Sequence, residues 1–117
     1  MWRQREDNLR ESSVYDDGVL RVEHDNYYVT CGGQRILLSR KEFLILSRLA
    51  RTAGGFVRSE ELWRYAWGQD APFNSASLRV HIHRLRHAFA RHGFRVENMA
   101  GVGYRLSTDI EATGNAR

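Results

Sequence analysis

Between residues 71 and 96 the chain carries five arginines and four histidines but no aspartate or glutamate. Positive charge without counter-charge over such a length suits a polyanion better than a small substrate. The charges also have a period. Leu78, Ile82, Leu85 and Phe89 fall at spacings of four, three and four, one apolar stripe on a helix. At about 100° per residue, Ala76, Val80, His83, Arg84, His87 and Arg91 face away from that stripe, flanked by Arg79 and Arg86. In a DNA major groove Arg84 can donate two hydrogen bonds to a guanine edge, and Val80 can touch a thymine methyl. Ala76, His83 and His87 complete the expected base-reading set. Ser75, Ser77, Arg79, Arg86 and Arg91 are expected on phosphates, which set register without reading sequence. His81, at the edge of the stripe, is expected to be a hydrogen-bonded structural residue.

Other chemistries have less to work with. His83 and His87 stand four apart, a metal-ligand spacing, but no third ligand accompanies them, so both are read as solvated. No nucleophile motif, phosphate loop or carboxylate pair with a nearby base is present, so no enzyme, metal or cofactor is expected. Cys31 is the only cysteine, which excludes an internal disulfide and a cysteine-based metal site. The formal charge of +4 and pI of about 9.7 favour an anionic partner without naming it. That excess is almost all arginine, with Lys41 the only lysine. No apolar run approaches the eighteen or so residues needed to cross a bilayer, and residues 1–13 lack a signal-peptide core. A cytoplasmic protein is expected.

After the basic helix comes a hairpin. Residues 95–99 and 104–106 can pair, with Gly101, Val102 and Gly103 supplying the permissive turn. A basic helix followed by a glycine-tipped hairpin is the order of a recognition helix and wing. Here the segments Leu78-Arg79-Val80-His81-Ile82-His83-Arg84-Leu85-Arg86 and Ala100-Gly101-Val102-Gly103-Tyr104-Arg105 resemble the end of an OmpR/PhoB-type winged-helix DNA-binding domain of bacterial response regulators. Leu38-Ser39-Arg40-Lys41-Glu42-Phe43 and Ala66-Trp67-Gly68 resemble earlier motifs of that family.

The resemblance implies sequence-specific binding of double-stranded DNA by a transcriptional regulator, with the wing residues Gly101, Val102, Gly103, Tyr104 and Arg105 beside the helix. It further implies a phosphate contact from the Trp67 indole N–H. RNA polymerase is the implied partner of the loop Gln69, Asp70, Ala71, Pro72 and Phe73, and two copies are implied head to tail on a tandem repeat. Three positions depart from the pattern: Arg79 replaces an acid, Glu60 replaces a basic residue, and Ala100 replaces the arginine implied in the minor groove. A receiver domain ordinarily precedes such a domain; none is in this sequence, so the chain is expected to be either a stand-alone regulator, the reading favoured here, or part of a larger protein. The competing class is a winged helix used as a protein-interaction module, docking on RNA polymerase or another regulator.

The elements that must position these residues can be read upstream. Residues 1–13 mix charges with few apolar side chains and read as a flexible arm. Runs at 18–23, 26–31 and 34–38 are rich in β-formers and turn at Gly32 and Gly33, giving a three-stranded antiparallel meander. Seven acids against five arginines precede Ser39, so this sheet is not expected on DNA. Ser39 and Glu42 form a capping box, stapled by Leu38 and Phe43, for a helix that buries Phe43, Leu46, Leu49 and Ala50 and stops at Gly54 and Gly55. Residues 56–58 form a short extended link. Ser59 is the expected cap of a second helix, with Leu62, Tyr65 and Ala66 inward and Gly68 at its end. Asn74 or Ser75 caps the third, and Gly93 ends it. Residues 108–117 read as a frayed tail. The expected fold is α+β: a winged helix-turn-helix at 14–107 with an N-terminal antiparallel sheet, three helices and a C-terminal hairpin wing.

Overall fold

Residues 13–92 and 96–107 are described by a computed structural model of the chain. The arm (apart from Ser13), the tail and Gly93 lie outside the described residues. Two compact units divide between residues 37 and 38.

The first unit is a meander of four strands rather than the expected three: β1 (Val14–Asp16), β2 (Leu20–Glu23), β3 (Tyr28–Cys31) and β4 (Gln34–Arg35), paired antiparallel in chain order. β1 was hidden because its side of the first turn holds two acids, weak strand formers. Those acids make the turn: Asp16 accepts from the Gly18 N–H at 2.9 Å, and Asp17 accepts from Val19 and Leu20 at 2.9 and 2.8 Å. Arg21 then bridges Asp16 and Glu23, each at 3.0 Å. The Gly18 N–H first, and Arg21 second, hold the Asp16 carboxyl below its ordinary range. Leu20 pairs with Cys31 and Val22 with Val29, and all four side chains are buried. Burial raises the Cys31 thiol above its usual pKa.

The second unit begins at the capping box. Ser39 accepts from the Glu42 N–H and Glu42 reaches back to the Ser39 N–H, starting α1 (Arg40–Arg51). The helix ends at Thr52, short of the two glycines, and Gly54 at φ +87° instead sends its N–H to the Leu106 carbonyl at 3.0 Å. Phe43, Ile45, Leu46, Leu49 and Ala50 are buried, and α1 packs on both other helices and on the final strand. α2 (Ser59–Trp67) follows, and its cap position is Arg58 with no side-chain bond, so Ser59 is the first helical residue rather than the cap. Trp63, not Tyr65, completes its buried stripe with Leu62 and Ala66; Tyr65 remains 39% exposed. Burial opposes ionisation of the Tyr65 phenol, but hydrogen bonds from Ser47 and Arg51 and the charge of Arg51 outweigh it and hold its pKa below the ordinary value. Arg48 bonds Glu61 at 2.8 Å across the two helices.

α3 (Ser75–Ala88) is capped by Asn74, which accepts from the Ser77 N–H at 3.0 Å. It stops at Phe89, earlier than Gly93, and a 3-10 turn over Ala90–His92 follows. Phe89, at the end of the helix, is fully buried and completes its apolar stripe. β5 (Val96–Met99) and β6 (Gly103–Leu106) form the hairpin, in register from Val96 with Leu106 to Met99 with Gly103. Its tip is Ala100, Gly101 and Val102. Gly103 therefore belongs to a strand and not to the turn.

Val57 adds an antiparallel bridge to β6: its N–H meets the Tyr104 carbonyl at 2.7 Å, and the return bond is 3.0 Å. A side chain at Gly103 would overlap the Val57 carbonyl oxygen and come within 2.9 Å of the Arg58 Cα. Gly101, at φ +80°, has open space instead. Gly103→Ala should therefore lose more than about 3 kcal/mol of stability through backbone collision, and Gly101→Ala only about 1–2 kcal/mol through left-handed strain. Thermal melting of the two variants compares them; equal losses would mean that β6 does not depend on this close approach.

Candidate nucleic-acid interface

Burial fixes the rotation of α3. Leu78, Ile82, Leu85 and the following Phe89 are at most 1% exposed. Each such side chain contributes about 1.5–3 kcal/mol on burial, which far exceeds any preference among the surface charges. The opposite face is consequently presented to solvent. Ala76, Val80, His83, Arg84 and His87 are exposed, as are Ser75 and Arg79, and so is Arg91 in the turn beyond; Ser77 is half-buried under the helix cap. The side chains of Arg58, Arg79, Arg84 and Arg91 have no hydrogen bond or ion pair among the described residues. They form a cationic surface that protein contacts leave unused.

Two arginines expected near phosphates or in the wing are otherwise engaged. Nε and Nη2 of Arg86 both donate to the Val96 carbonyl, at 3.1 and 2.8 Å, so the guanidinium ties α3 to the start of the wing. Arg105 donates to Glu97 across the hairpin at 2.6 Å and lies 4.8 Å over the Phe56 ring. Of the other wing residues, Gly103 and Tyr104 are buried, while Gly101 and Val102 are exposed.

Trp67 sits in an aromatic stack. It lies parallel to Trp63 with centroids 4.0 Å apart, under Lys41 at 5.2 Å and edge-on to His81 at 4.9 Å. Its indole N–H has no acceptor among the described residues. His81 is the structural residue expected, its Nδ1 2.8 Å from the Ser77 carbonyl oxygen. Lys41 also donates to the Ala66 carbonyl at 3.0 Å, a cation on the negative end of α2.

Trp63 anchors the loop at 69–73. Its indole donates to the Ala71 carbonyl at 3.0 Å, and Phe73 meets its ring edge-on at 5.9 Å. Gln69, Asp70, Pro72 and Phe73 stay exposed around that anchor, and Ala71 is half-buried.

Three residues escaped sequence reasoning. Arg58 was displaced by placing the α2 cap one residue late; it lines a cleft with Ser59, Ser75 and the wing tip. Trp63 was legible from its spacing of four before Trp67, which stacks side chains along a helix. Lys41 carried no signal, because its acceptor lies 25 residues away. Among the described residues no cluster of three or more His, Cys, Asp or Glu could hold a metal ion, and no helix is long and apolar enough to cross a membrane.

A helix-turn-helix pair whose basic helix is capped by Asn74, followed by a clamped hairpin, defines the winged-helix class. Comparison with known proteins sharpens this. The family described as "Transcriptional regulatory protein, C terminal" matches residues 33–106. The transcriptional regulatory protein BasR of Escherichia coli is 33% identical over 107 residues, covering 92% of this chain and 47% of BasR. The swarming motility regulation protein RssB of Serratia marcescens is 33% identical over 84% of this chain and 44% of its own length. This chain thus spans about half the length of the curated relatives it matches. The RstA DNA-binding domain of Klebsiella pneumoniae, solved in complex with the RstA box, superposes with a TM-score of 0.69 at 27% identity, over 80% of this chain and 96% of that one. The chain belongs to the OmpR/PhoB-type winged-helix family of transcriptional regulators, a DNA-binding and non-enzymatic family.

The Arg86 fork yields a prediction. Arg86→Ala should raise amide hydrogen exchange at the start of β5 by about tenfold, the loss of roughly 1.4 kcal/mol of hydrogen bonding. Arg86→Lys should restore little of it, because an ammonium lacks the fork. Unchanged exchange in both variants would show that this link does not hold the wing.

Proposed function

We propose that this domain binds double-stranded DNA sequence-selectively as a transcriptional regulator, with α3 in the major groove and the wing beside it. One observation carries the reading: the buried stripe of α3 leaves an acid-free face on which the side chains of Arg79, Arg84 and Arg91 have no hydrogen bond or ion pair among the described residues. Ala76, Val80, His83, Arg84 and His87 are assigned to base edges, with Arg84 on guanine and Val80 on a thymine methyl. Arg79, Arg91, Ser75, Ser77 and the Trp67 indole N–H are assigned to phosphates. Arg58, with its side chain free at the start of α2, joins them. Arg86 is assigned to a phosphate as well, through the N–H donors left over from the two on the Val96 carbonyl.

The 69–73 loop supports a second partner. Trp63 holds it in one conformation while Phe73 remains 42% exposed, which suits docking on RNA polymerase. Two copies head to tail on a tandem repeat, in the bacterial cytoplasm, is the assembly proposed by family membership.

Selection from a random duplex pool at moderate salt tests the reading. Enrichment of a motif repeated about one helical turn apart is expected, and absence of any bound duplex would leave the protein-interaction class. Four to six phosphate contacts per protomer imply a log–log salt slope of roughly −4 to −5. Arg84→Ala should cost about 1–3 kcal/mol on the preferred sequence and relax selectivity, whereas Arg91→Ala should weaken all duplexes alike. Identical behaviour of the two variants would refute this division of roles.

A further inference from the structure

The wing tip has lost its charge and kept its exposure. Residues 98–104 contain no ionisable cation or acid other than the Tyr104 phenol, and Arg105 is held by Glu97. Met99 is 48% exposed and Val102 43%. Together with Phe73 they line one cleft of about 240 Å³. Ser75, the first residue of α3, and Arg58 stand in the same cleft, where Glu60 is the one acid among the described residues. The tip is fixed in place. The Val102 N–H bonds the Met99 carbonyl at 2.9 Å, and Gly103 beneath it sits directly on the Val57 backbone. Met99, Val102 and Phe73 thus make one contiguous exposed apolar patch at the rim of the proposed interface, the kind of surface that marks a contact.

We infer that Met99 and Val102, backed by Phe73, form an apolar contact with the deoxyribose walls of the duplex that receives α3. The inference rests on the DNA reading given above. A helix in a groove about 12 Å wide brings whatever stands beside its first turn against the strand bounding that groove. Between phosphates, that strand presents the C–H faces of its sugars. An uncharged tip neutralises no phosphate and releases no counterion. It adds affinity by removing apolar surface from water, and that part of the affinity does not vary with salt. Arg58 and Ser75, both donors, lie in the same cleft and complement the flanking phosphates. This complementarity favours a nucleic-acid occupant over a second copy of the chain.

The test is a salt-resolved titration of the whole chain on its selected duplex. Met99→Ala with Val102→Ala should lower affinity by about five- to tenfold at every salt concentration and leave the log–log slope unchanged. Met99→Leu with Val102→Ile should retain the affinity, which separates lost contact from lost fold. Val102→Lys should steepen the slope by about 1, as a phosphate contact is added. Unchanged affinity in the double alanine variant overturns the inference while the DNA reading stands. A loss confined to the binding of a second copy, or a loss accompanied by a shallower slope, overturns it too. An unaltered chain that binds no duplex overturns the DNA reading and this inference with it.

Discussion

Four side chains set the orientation on which everything else in the second unit depends. Leu78, Ile82, Leu85 and Phe89 are buried together, and a helix that buries one stripe has no freedom to choose what its opposite face presents. Surface ion pairs contribute at most about 1 kcal/mol each, so no arrangement of arginines competes with that burial. The cationic face is thus positioned by the apolar one. The absence of acids between residues 71 and 96 then leaves its charge uncancelled. Catalytic machinery is not needed for such a surface to act; a fixed pattern of donors and one methyl-sized apolar group is enough to read a base edge.

The wing depends on a second constraint, the close approach of two backbones. β6 bonds Val57 in both directions, and only a residue without Cβ fits at Gly103. Arg86 fastens the other strand by giving two donors to one carbonyl. One end of this hairpin is therefore tied to the helix it accompanies and the other to the link before α2. The relation between helix and wing is carried by backbone groups and the Arg86 guanidinium, none of them at the tip, so side chains at the tip can vary. Ala100, where the family pattern has arginine, fits that tolerance: the tip changes chemistry while its position is held.

Aromatic packing does for the loop and α2 what glycine does for the wing. Trp63 spends its N–H on the Ala71 carbonyl and its ring on Trp67. Trp67 keeps its own N–H available while Lys41 and His81 hold its ring. Two tryptophans one helical turn apart thus divide the labour, one fixing the 69–73 loop and the other offering a donor from a rigid platform. The Arg48–Glu61 pair lies across α1 and α2, and Arg48 holds the Glu61 carboxyl below its ordinary range.

Local sequence decided the pieces whose physics is local. The capping box at Ser39 and Glu42, the period of α3 and its outward set, the turn at Gly32 and Gly33 and the presence of a hairpin turning at Gly101 all depend on residues within a few positions of one another. The same signals identified the family. Tertiary structure decided what depends on distant partners. β1 exists because β2 offers it a ladder and two acids cap the turn between them. Tyr65 gives way to Trp63 because the loop beyond α2 supplies a carbonyl for an indole. Gly103 is required by Val57, 46 residues earlier, and Arg86 gains a second task from a carbonyl ten residues on. In each case the chain contains the residue, but the atom that fixes its role arrives only when the fold closes.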